Sequence, residues 1–265
     1  MTMFIYQNPK DFFYVAHKCE ETPNIGHFFG HTHDHYEVFL FLKGDASFNV
    51  EGNIFKLSPN DIILIPPHQY HCLILDRLAV YERYVIEIPL DRVPASLKEI
   101  FEKTEICNVT ENTPLLDLFH RLDTYHNLLD GEDFGKICRH MVQELLLVLR
   151  ISLGRGDSRH SYDPLTKRIL TYINDNLTKP LTIDELSETF YLSRSHIQNV
   201  FSQNMKIGIK SYISQKKMLR AKELLQSGKK PYEVAELLGY SDYATFFKNF
   251  KKHYRIPPKE FYVKR

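Results

Sequence analysis

The spacing of apolar residues changes part-way along the chain, from a strand-like to a helix-like period. Up to about residue 90, short runs of β-branched and aromatic residues alternate with turn residues such as Lys43-Gly44-Asp45 and Pro66-Pro67. Many short strands at close spacing are typical of an all-β sandwich or barrel. The clearest strand-like runs are 37–42, 46–50, 54–57, 62–65, 72–75 and 84–88.

From about residue 113 onward, apolar residues recur every three or four positions, which predicts helices. The helix predicted at about 134–153 has an apolar stripe broad enough to pack against its own domain and against a second copy. Packing within the domain alone is the alternative. The polar segment 154–161 contains two glycines and is the best domain boundary. After it, Asp163 and Pro164 supply a helix N-cap and a proline at the first helical position.

The composition of the whole chain indicates little about function, but its two halves differ in charge. The net charge is +1, but residues 161–265 carry +9 and residues 1–160 carry −8, so the second half is expected to meet a polyanion. No apolar run is long enough for a membrane span, and no secretory signal is visible. The four cysteines are far apart and form no metal-binding pair. A cytoplasmic protein with free thiols is expected.

The basic half contains a weak internal repeat, since residues 182–187 resemble residues 230–235 at an offset of 48. Each copy predicts a helix, a tight turn and a second helix, at about 182–204 and 230–252. Ser193 and Ser241 are expected to cap the second helices. The side chains expected on the outer faces, where they would contact bases or phosphates, are Arg194, Ser195, Gln198, Asn199, Tyr243, Ala244, Phe247, Lys248 and Lys251.

A longer motif joins the two copies: Tyr212-Ile213-x-x-Lys216-Lys217-Met218-x-x-Ala221-x-x-Leu224-Leu225, then Gly239-Tyr240-Ser241-Asp242-x-x-x-Phe246-Phe247. It resembles the DNA-binding domain of AraC/XylS-type transcription regulators. The resemblance implies two helix-turn-helix units on one linker helix, each placing a recognition helix in successive major grooves. Lys206 and Arg255 stand where glycines are usual, and Lys248 stands where arginine is common.

The acidic half contains His31-x-His33-x-x-x-Glu37, and later Pro66, His68 and His71. This pattern resembles the two cupin motifs and the sensor arm of AraC-type regulators. The resemblance places His31, His33, Glu37 and His71 at positions that hold a divalent metal in cupin enzymes, and an effector pocket of His31, His33, His35, Glu37 and His71 is the favoured interpretation. Asn60 and His68 replace two turn glycines. In the remaining interpretation, the histidines are ordinary polar residues at a barrel mouth.

Together these features predict an α+β multidomain chain. Residues 1–155 are expected to form a cupin-like β-barrel (about 12–90) with a helical dimerisation segment (about 113–154), and residues 160–265 an all-α tandem helix-turn-helix domain. The hypothesis is a non-enzymatic transcription regulator without a resident cofactor. Its expected partners are double-stranded DNA, a small effector, a second copy of the chain and RNA polymerase, but no membrane.

A metal-dependent cupin enzyme and a DNA-binding module whose barrel only dimerises are the alternatives. The family resemblance favours a sugar or sugar derivative as effector, with Tyr36, Phe48 and Tyr70 as candidate stacking rings. The operator, the choice between activation and repression, and metal occupancy stay open.

Overall fold

A computed structural model describes residues 2–8, 13–23, 30–77, 79–102, 104–153, 163–179 and 181–262. The described strands are β1 (Thr2–Asn8), β2 (Phe13–Glu20), β3 (Tyr36–Lys43), β4 (Ala46–Val50), β5 (Asn53–Lys56), β6 (Asp61–Ile65), β7 (His71–Leu75), β8 (Tyr81–Ile88) and β9 (Glu105–Asn108). The described α-helices are α1 (Thr113–Leu128), α2 (Gly131–Leu153), α3 (Pro164–Asp175), α4 (Ile183–Phe190), α5 (Arg194–Met205), α6 (Ile209–Gln226), α7 (Pro231–Leu237) and α8 (Tyr243–Tyr254), with 3₁₀ turns at Ala95–Phe101 and Pro258–Phe261.

The strands form a six-stranded sheet in the order β1-β2-β8-β3-β6-β9 and a three-stranded sheet in the order β5-β4-β7. Alternate residues of a strand face opposite sides of a sheet. On β3, Phe39 and Phe41 therefore join the core between the two sheets, whereas Val38 and Leu40 join a second core on the outer face. Helices α1 and α2 cover that outer face.

Two strands lie outside the barrel bounds of about 12–90 that the sequence predicts. Strand β1 pairs with β2, and β9 pairs with β6, at opposite edges of the six-stranded sheet. Edge strands are short or partly exposed, so their apolar pattern is too weak to predict them from the sequence. The expected boundary at 154–161 lies outside the described residues.

All elements described in the second half are helical, and they form two small cores. The first gathers α3, α4, α5 and the start of α6 around Ile197 and Phe201, and the second gathers the rest of α6 with α7 and α8 around Phe246 and Phe250. Helix α6 thus links two helix-turn-helix units. The expected two-domain α+β fold is confirmed, and no described helix is long and apolar enough to cross a membrane.

Side-chain caps define where the helices begin. Asp163 accepts a hydrogen bond from the Thr166 amide at 2.7 Å, and Ser193 accepts one from the His196 amide at 3.2 Å. The expectation that Ser241 caps α8 is wrong. Asp242 immediately precedes the first helical residue and accepts from the Thr245 amide at 2.7 Å, because the carboxylate occupies the N-cap position itself.

The missing glycines of the motifs leave a visible trace in the backbone. Lys206 and Arg255 have φ angles of +56° and +65° at the ends of α5 and α8, and Asn60 and His68 both have φ of +67°. This left-handed region favours glycine. The chain therefore keeps the turn geometry that the resemblance implies, with residues that adopt it at some cost.

Candidate functional site

A cavity of about 210 Å³ lies between the two sheets of the β domain. Side chains of β2, β3 and β8 line it from the six-stranded sheet, and side chains of β4 and β7 line it from the three-stranded sheet. Its lining is both polar and aromatic, and includes Lys18, Glu37, Phe48, His71 and Arg83. A cavity of this size suits a small ligand, since pockets for drug-sized molecules usually measure about 300–1,000 Å³.

Four of the candidate residues come together at one end of this cavity. One potential ligand atom from each of His31, His33, Glu37 and His71 lies within 4.8 Å of the others. His31 is exposed and the other three are buried. The backbones of His31 and His71 exchange two hydrogen bonds of 3.0 Å, which fixes the loop before β3 against the start of β7. The structure thus brings both halves of the histidine motif together.

The ring hydrogen bonds define which nitrogen faces the centre of the cluster. His33 donates from Nδ1 to the His35 carbonyl at 3.1 Å, and His71 donates from Nδ1 to the Gln69 carbonyl at 3.0 Å. Their Nε2 atoms lie 2.8 and 3.4 Å from Oε2 of Glu37. When Nδ1 carries the single proton of a neutral imidazole, Nε2 directs a lone pair at the Glu37 carboxylate, and the two repel each other. Either a proton on Nε2 or a bound cation removes this repulsion.

Burial and charge divide the protonation states within the cluster. Burial lowers the pKa of His33. Burial also opposes the charge on His71, but Glu37 outweighs it and raises the pKa of that imidazole. Burial favours neutral Glu37, yet His71 and His33 hold the pKa of its carboxyl well below the ordinary value. The arrangement therefore favours an ionised Glu37 beside a positive charge.

The same geometry fits a divalent metal ion. Nε2 of His71 is buried and has no hydrogen-bond partner among the described residues. Three imidazoles and one carboxylate suit Zn, Fe, Ni or Mn. The Nδ1 bonds of His33 and His71 to carbonyls are the outer contacts that orient metal-binding histidines. His31, His33, Glu37 and His71 would hold such an ion, which would act as a Lewis acid toward a bound oxygen.

Two of the candidate residues, His33 and His35, are not among the side chains that line the cavity. His35 stacks on His33 with ring centroids 3.8 Å apart, and its Nε2 lies 3.0 Å from Glu87. His35 therefore contacts the cluster through the His33 ring and does not line the cavity.

Of the three aromatic rings expected to stack on a sugar, two lie away from the cavity. Tyr36 packs on Phe101 on the helix side of the sheet, and Tyr70 is buried against Tyr212 of α6. Tyr36 adjoins the inward-facing Glu37, so strand alternation turns its ring outward. Among these three aromatic residues, Phe48 alone lines the cavity.

The three-stranded sheet separates the cavity from the helical domain. Phe48, His71 and Leu73 line the cavity, whereas Ile74 packs into the first helical core. Contact on the helical side is close, because a Cβ atom placed on Gly52 would lie 3.0 Å from the sulfur of Met205. One wall of the cavity is therefore also the surface on which the helical domain rests.

Glu51, at the turn between β4 and β5, is the centre of this interface. Its carboxylate accepts hydrogen bonds from the Tyr212 hydroxyl at 2.6 Å, the Lys216 ammonium at 3.2 Å and the Tyr70 amide at 2.8 Å. A second ion pair joins Asp34 to Lys222 at 2.7 Å. These contacts cannot be predicted from the sequence, because residues so distant along the chain share no periodic pattern.

The second candidate site is the outer surface of α5 and α8. Arg194, Ser195, Gln198 and Asn199 are exposed on α5. On α8, Phe247 is half-buried and the other predicted residues are exposed: Tyr243, Ala244, Lys248 and Lys251. Arg194 forms an ion pair with Asp184 of α4. The inner faces hold Ile197, Phe201, Phe246 and Phe250, all fully buried. The outer face of α5 is polar, and that of α8 combines lysines with aromatic side chains.

A ligand-sized cavity in a β domain, joined to two helix-turn-helix units, defines a DNA-binding protein with a ligand-binding domain. The sequence model of the AraC-like ligand binding domain matches residues 15–147, and a helix-turn-helix domain model matches residues 186–263. The chain belongs to the AraC family of DNA-binding transcription regulators.

Some similar proteins cover most of the chain, and others cover a smaller part of it. The lactose operon transcription activator of Staphylococcus xylosus is 22% identical, with 90% of this chain and 87% of that protein covered. The multiple antibiotic resistance protein MarA of Salmonella typhimurium is 30% identical over 108 residues, which cover 40% of this chain and 85% of MarA. Fatty-acid-bound ToxT of Vibrio cholerae is a similar solved structure, 13% identical with a TM-score of 0.41, covering 94% of each chain.

Proposed function

We propose that this regulator binds a small, hydroxyl-rich organic effector in the barrel cavity and that the effector controls how the helical domain is held. The cavity is small, and its inner end offers imidazole and carboxylate groups that hydrogen-bond hydroxyls. One relative supports a sugar-like effector by its name, the lactose operon transcription activator of Staphylococcus xylosus.

The observation that carries this proposal is the shared wall between cavity and helical domain. His71 lines the cavity, and the adjacent Tyr70 packs on Tyr212 with ring centroids 5.7 Å apart. Val50 is the register partner of His71, and it is followed by Glu51. A ligand that moves β7 or β4 therefore moves, one residue away, the groups that hold α6. Ligand binding shifts the docking equilibrium if the ligand prefers one arrangement.

The DNA-facing part of the proposal assigns roles to the exposed residues of α5 and α8. Gln198 and Asn199 are base readers, because their side-chain amides offer the donor and acceptor pair that reads adenine in the major groove. Lys251 contacts phosphate and positions the second helix. The base-edge or backbone contacts expected from the same two faces come from Arg194, Ser195, Tyr243, Ala244, Phe247 and Lys248.

A second copy of the chain completes the proposed regulator. Helix α2 buries one stripe against the sheet, but Leu147 and Ile151 remain 44% and 68% exposed on its other side. We propose that these side chains form the centre of a homodimer contact. Two linked DNA-binding domains would then bind an operator more tightly than one, through avidity.

The experiment measures ligand binding and DNA binding on the same full-length protein. An operator is selected from random DNA, and its affinity is measured by fluorescence anisotropy with and without sugars that raise the melting temperature. Wild type should show a ligand-dependent change in operator affinity. Glu51→Gln should still show the melting shift but lose most of the affinity change, since Lys216 loses its charged partner.

The exposed Glu111→Gln is the matched control and should behave as wild type. A coupling that survives Glu51→Gln unchanged would contradict the proposed route. A cavity ligand that never alters operator affinity would favour the barrel as a dimerisation module only.

A further inference from the structure

A basic pair lies across two neighbouring strands on the floor of the cavity. Lys18 of β2 and Arg83 of β8 are register partners, and both line the cavity. Like charges directly opposite each other on a sheet repel. Such a pair facing a cavity is stabilised when an anion binds between the two side chains.

The two members of this pair differ in their contacts with the protein's own carboxylates. Arg83 lies 3.5 Å from Glu20 and stacks over the Tyr81 ring at 4.8 Å. The contact recorded for the Lys18 ammonium is with the ring of Tyr14, at 6.0 Å. In the described part of the chain, no carboxylate lies within ion-pair distance of Lys18. Burial, and then the charge of Arg83, lower the pKa of this lysine, and the charges of Glu20 and Glu87 offset that effect only in part.

The opposite end of the same floor has the reverse charge. Glu37 of β3 and Glu87 of β8 are register partners, next to the histidine cluster. Glu87 stands four residues from Arg83 on the same strand, a separation of about 13 Å along the backbone. The Lys18 side chain covers part of that distance, because its ammonium lies toward Tyr14, which is the register partner of Glu87. The cavity therefore has a basic end and an end that hydrogen-bonds hydroxyl groups.

We propose that the effector is an anionic sugar derivative, with a carboxylate or phosphate held between Lys18 and Arg83 and its hydroxyls at Glu37 and His71. This inference rests on the proposed function, because it names the ligand class of the same cavity. A neutral sugar would leave the ammonium of Lys18 without a carboxylate at ion-pair distance among the described residues. An anion would form charge-assisted hydrogen bonds to both cations.

The test uses full-length protein and three probes of similar size at constant ionic strength: glucose, glucuronate and glucose 6-phosphate. Titration calorimetry should give an affinity for at least one anionic probe that exceeds that for glucose by at least about tenfold. The comparison of the carboxylate with the phosphate identifies which anion fits. Lys18→Met should reduce the preference to about threefold or less.

Lys43→Met, which removes an exposed lysine at the end of β3, is the matched control and should keep the full preference. Glucose binding as tightly as the anionic probes, failure of both anionic probes to bind, or a preference retained in Lys18→Met would each overturn the proposal. If an anionic probe binds in a Lys18-dependent way but leaves operator affinity unchanged, the anion site is supported and the proposed function is contradicted.

Discussion

Lys217 on α6 is a buried cation that ties the two helix-turn-helix units together. It is 7% exposed, and its ammonium donates hydrogen bonds to the Lys179 carbonyl at 2.8 Å and to the Leu238 carbonyl at 2.7 Å. Lys179 follows α3 beside the first unit, and Leu238 ends α7 in the second unit. The carbonyl at a helix C-terminus carries partial negative charge, which strengthens its bond to a cation.

The energetic effect of Lys217→Met follows from these two bonds. A hydrogen bond from a charged donor contributes about 1.5–3 kcal/mol, and the variant loses two of them. Methionine recovers part of this loss, because it has no ammonium to desolvate; burial already lowers the pKa of Lys217. We expect the free energy of unfolding of the helical domain to fall by about 2–4 kcal/mol.

The assay is urea unfolding of the full-length protein followed by circular dichroism at a wavelength dominated by helix. Lys210→Met, an exposed substitution on the same helix, should change stability by no more than about 0.5 kcal/mol. Operator affinity should also fall in Lys217→Met, since the two recognition helices lose a fixed relative orientation. The reasoning is refuted if Lys217→Met loses less than about 1 kcal/mol and binds its operator normally.

Three further predictions address stability and metal content. Burial lowers the pKa of His17, but the contacts with Asp123 and Glu82 outweigh it and raise the net value. The stabilising effect of protonated His17 is thus full below the unfolded pKa of about 6.5 and is lost as the pH rises through the higher pKa of the folded protein. In thermal melts, His17→Gln should therefore lower the melting temperature more at about pH 6 than at about pH 9. Lys206→Gly and Arg255→Gly should each raise the free energy of unfolding by about 0.5–1 kcal/mol, because glycine adopts positive φ without strain. Urea unfolding measures this change, and a lower free energy of unfolding in both variants would contradict the prediction. For untagged protein, we expect elemental analysis to find little metal and ligand-induced melting shifts to survive a chelator; near-stoichiometric metal that His33→Ala abolishes would show a metal-centred sensor instead.

Much of the DNA-binding half follows from the sequence because its elements are local and periodic. Phe246 and Phe250 are spaced as neighbours on one helix face, and both are buried. The left-handed turns at Lys206 and Arg255 follow from the motif, although neither residue favours that conformation. The N-cap at Asp242 was misassigned by one residue, since serine and aspartate are equally good caps and stand side by side.

Only one end of the cavity can be predicted from the sequence, because the rest of its geometry depends on strand pairing. The histidine motif identified one end, as residues on alternate positions of one strand share a face. Lys18 and Arg83 give no local signal, since only the register between β2 and β8 places them opposite each other. The same holds for Glu51 and Lys216, whose ion pair joins two domains. Long-range pairing of half-buried charges has no signature in hydrophobic periodicity.

The most direct test of the account is whether α5 and α8 read DNA sequence. The affinities of Asn199→Ala, Gln198→Ala and Lys251→Ala are measured by fluorescence anisotropy on a selected operator and on random DNA of equal length. The first two variants should lose about 1–3 kcal/mol on the operator and little on random DNA. Lys251→Ala should weaken both alike and reduce the salt dependence. Equal losses on operator and random DNA for all three variants would contradict the assignment of these helices as sequence readers.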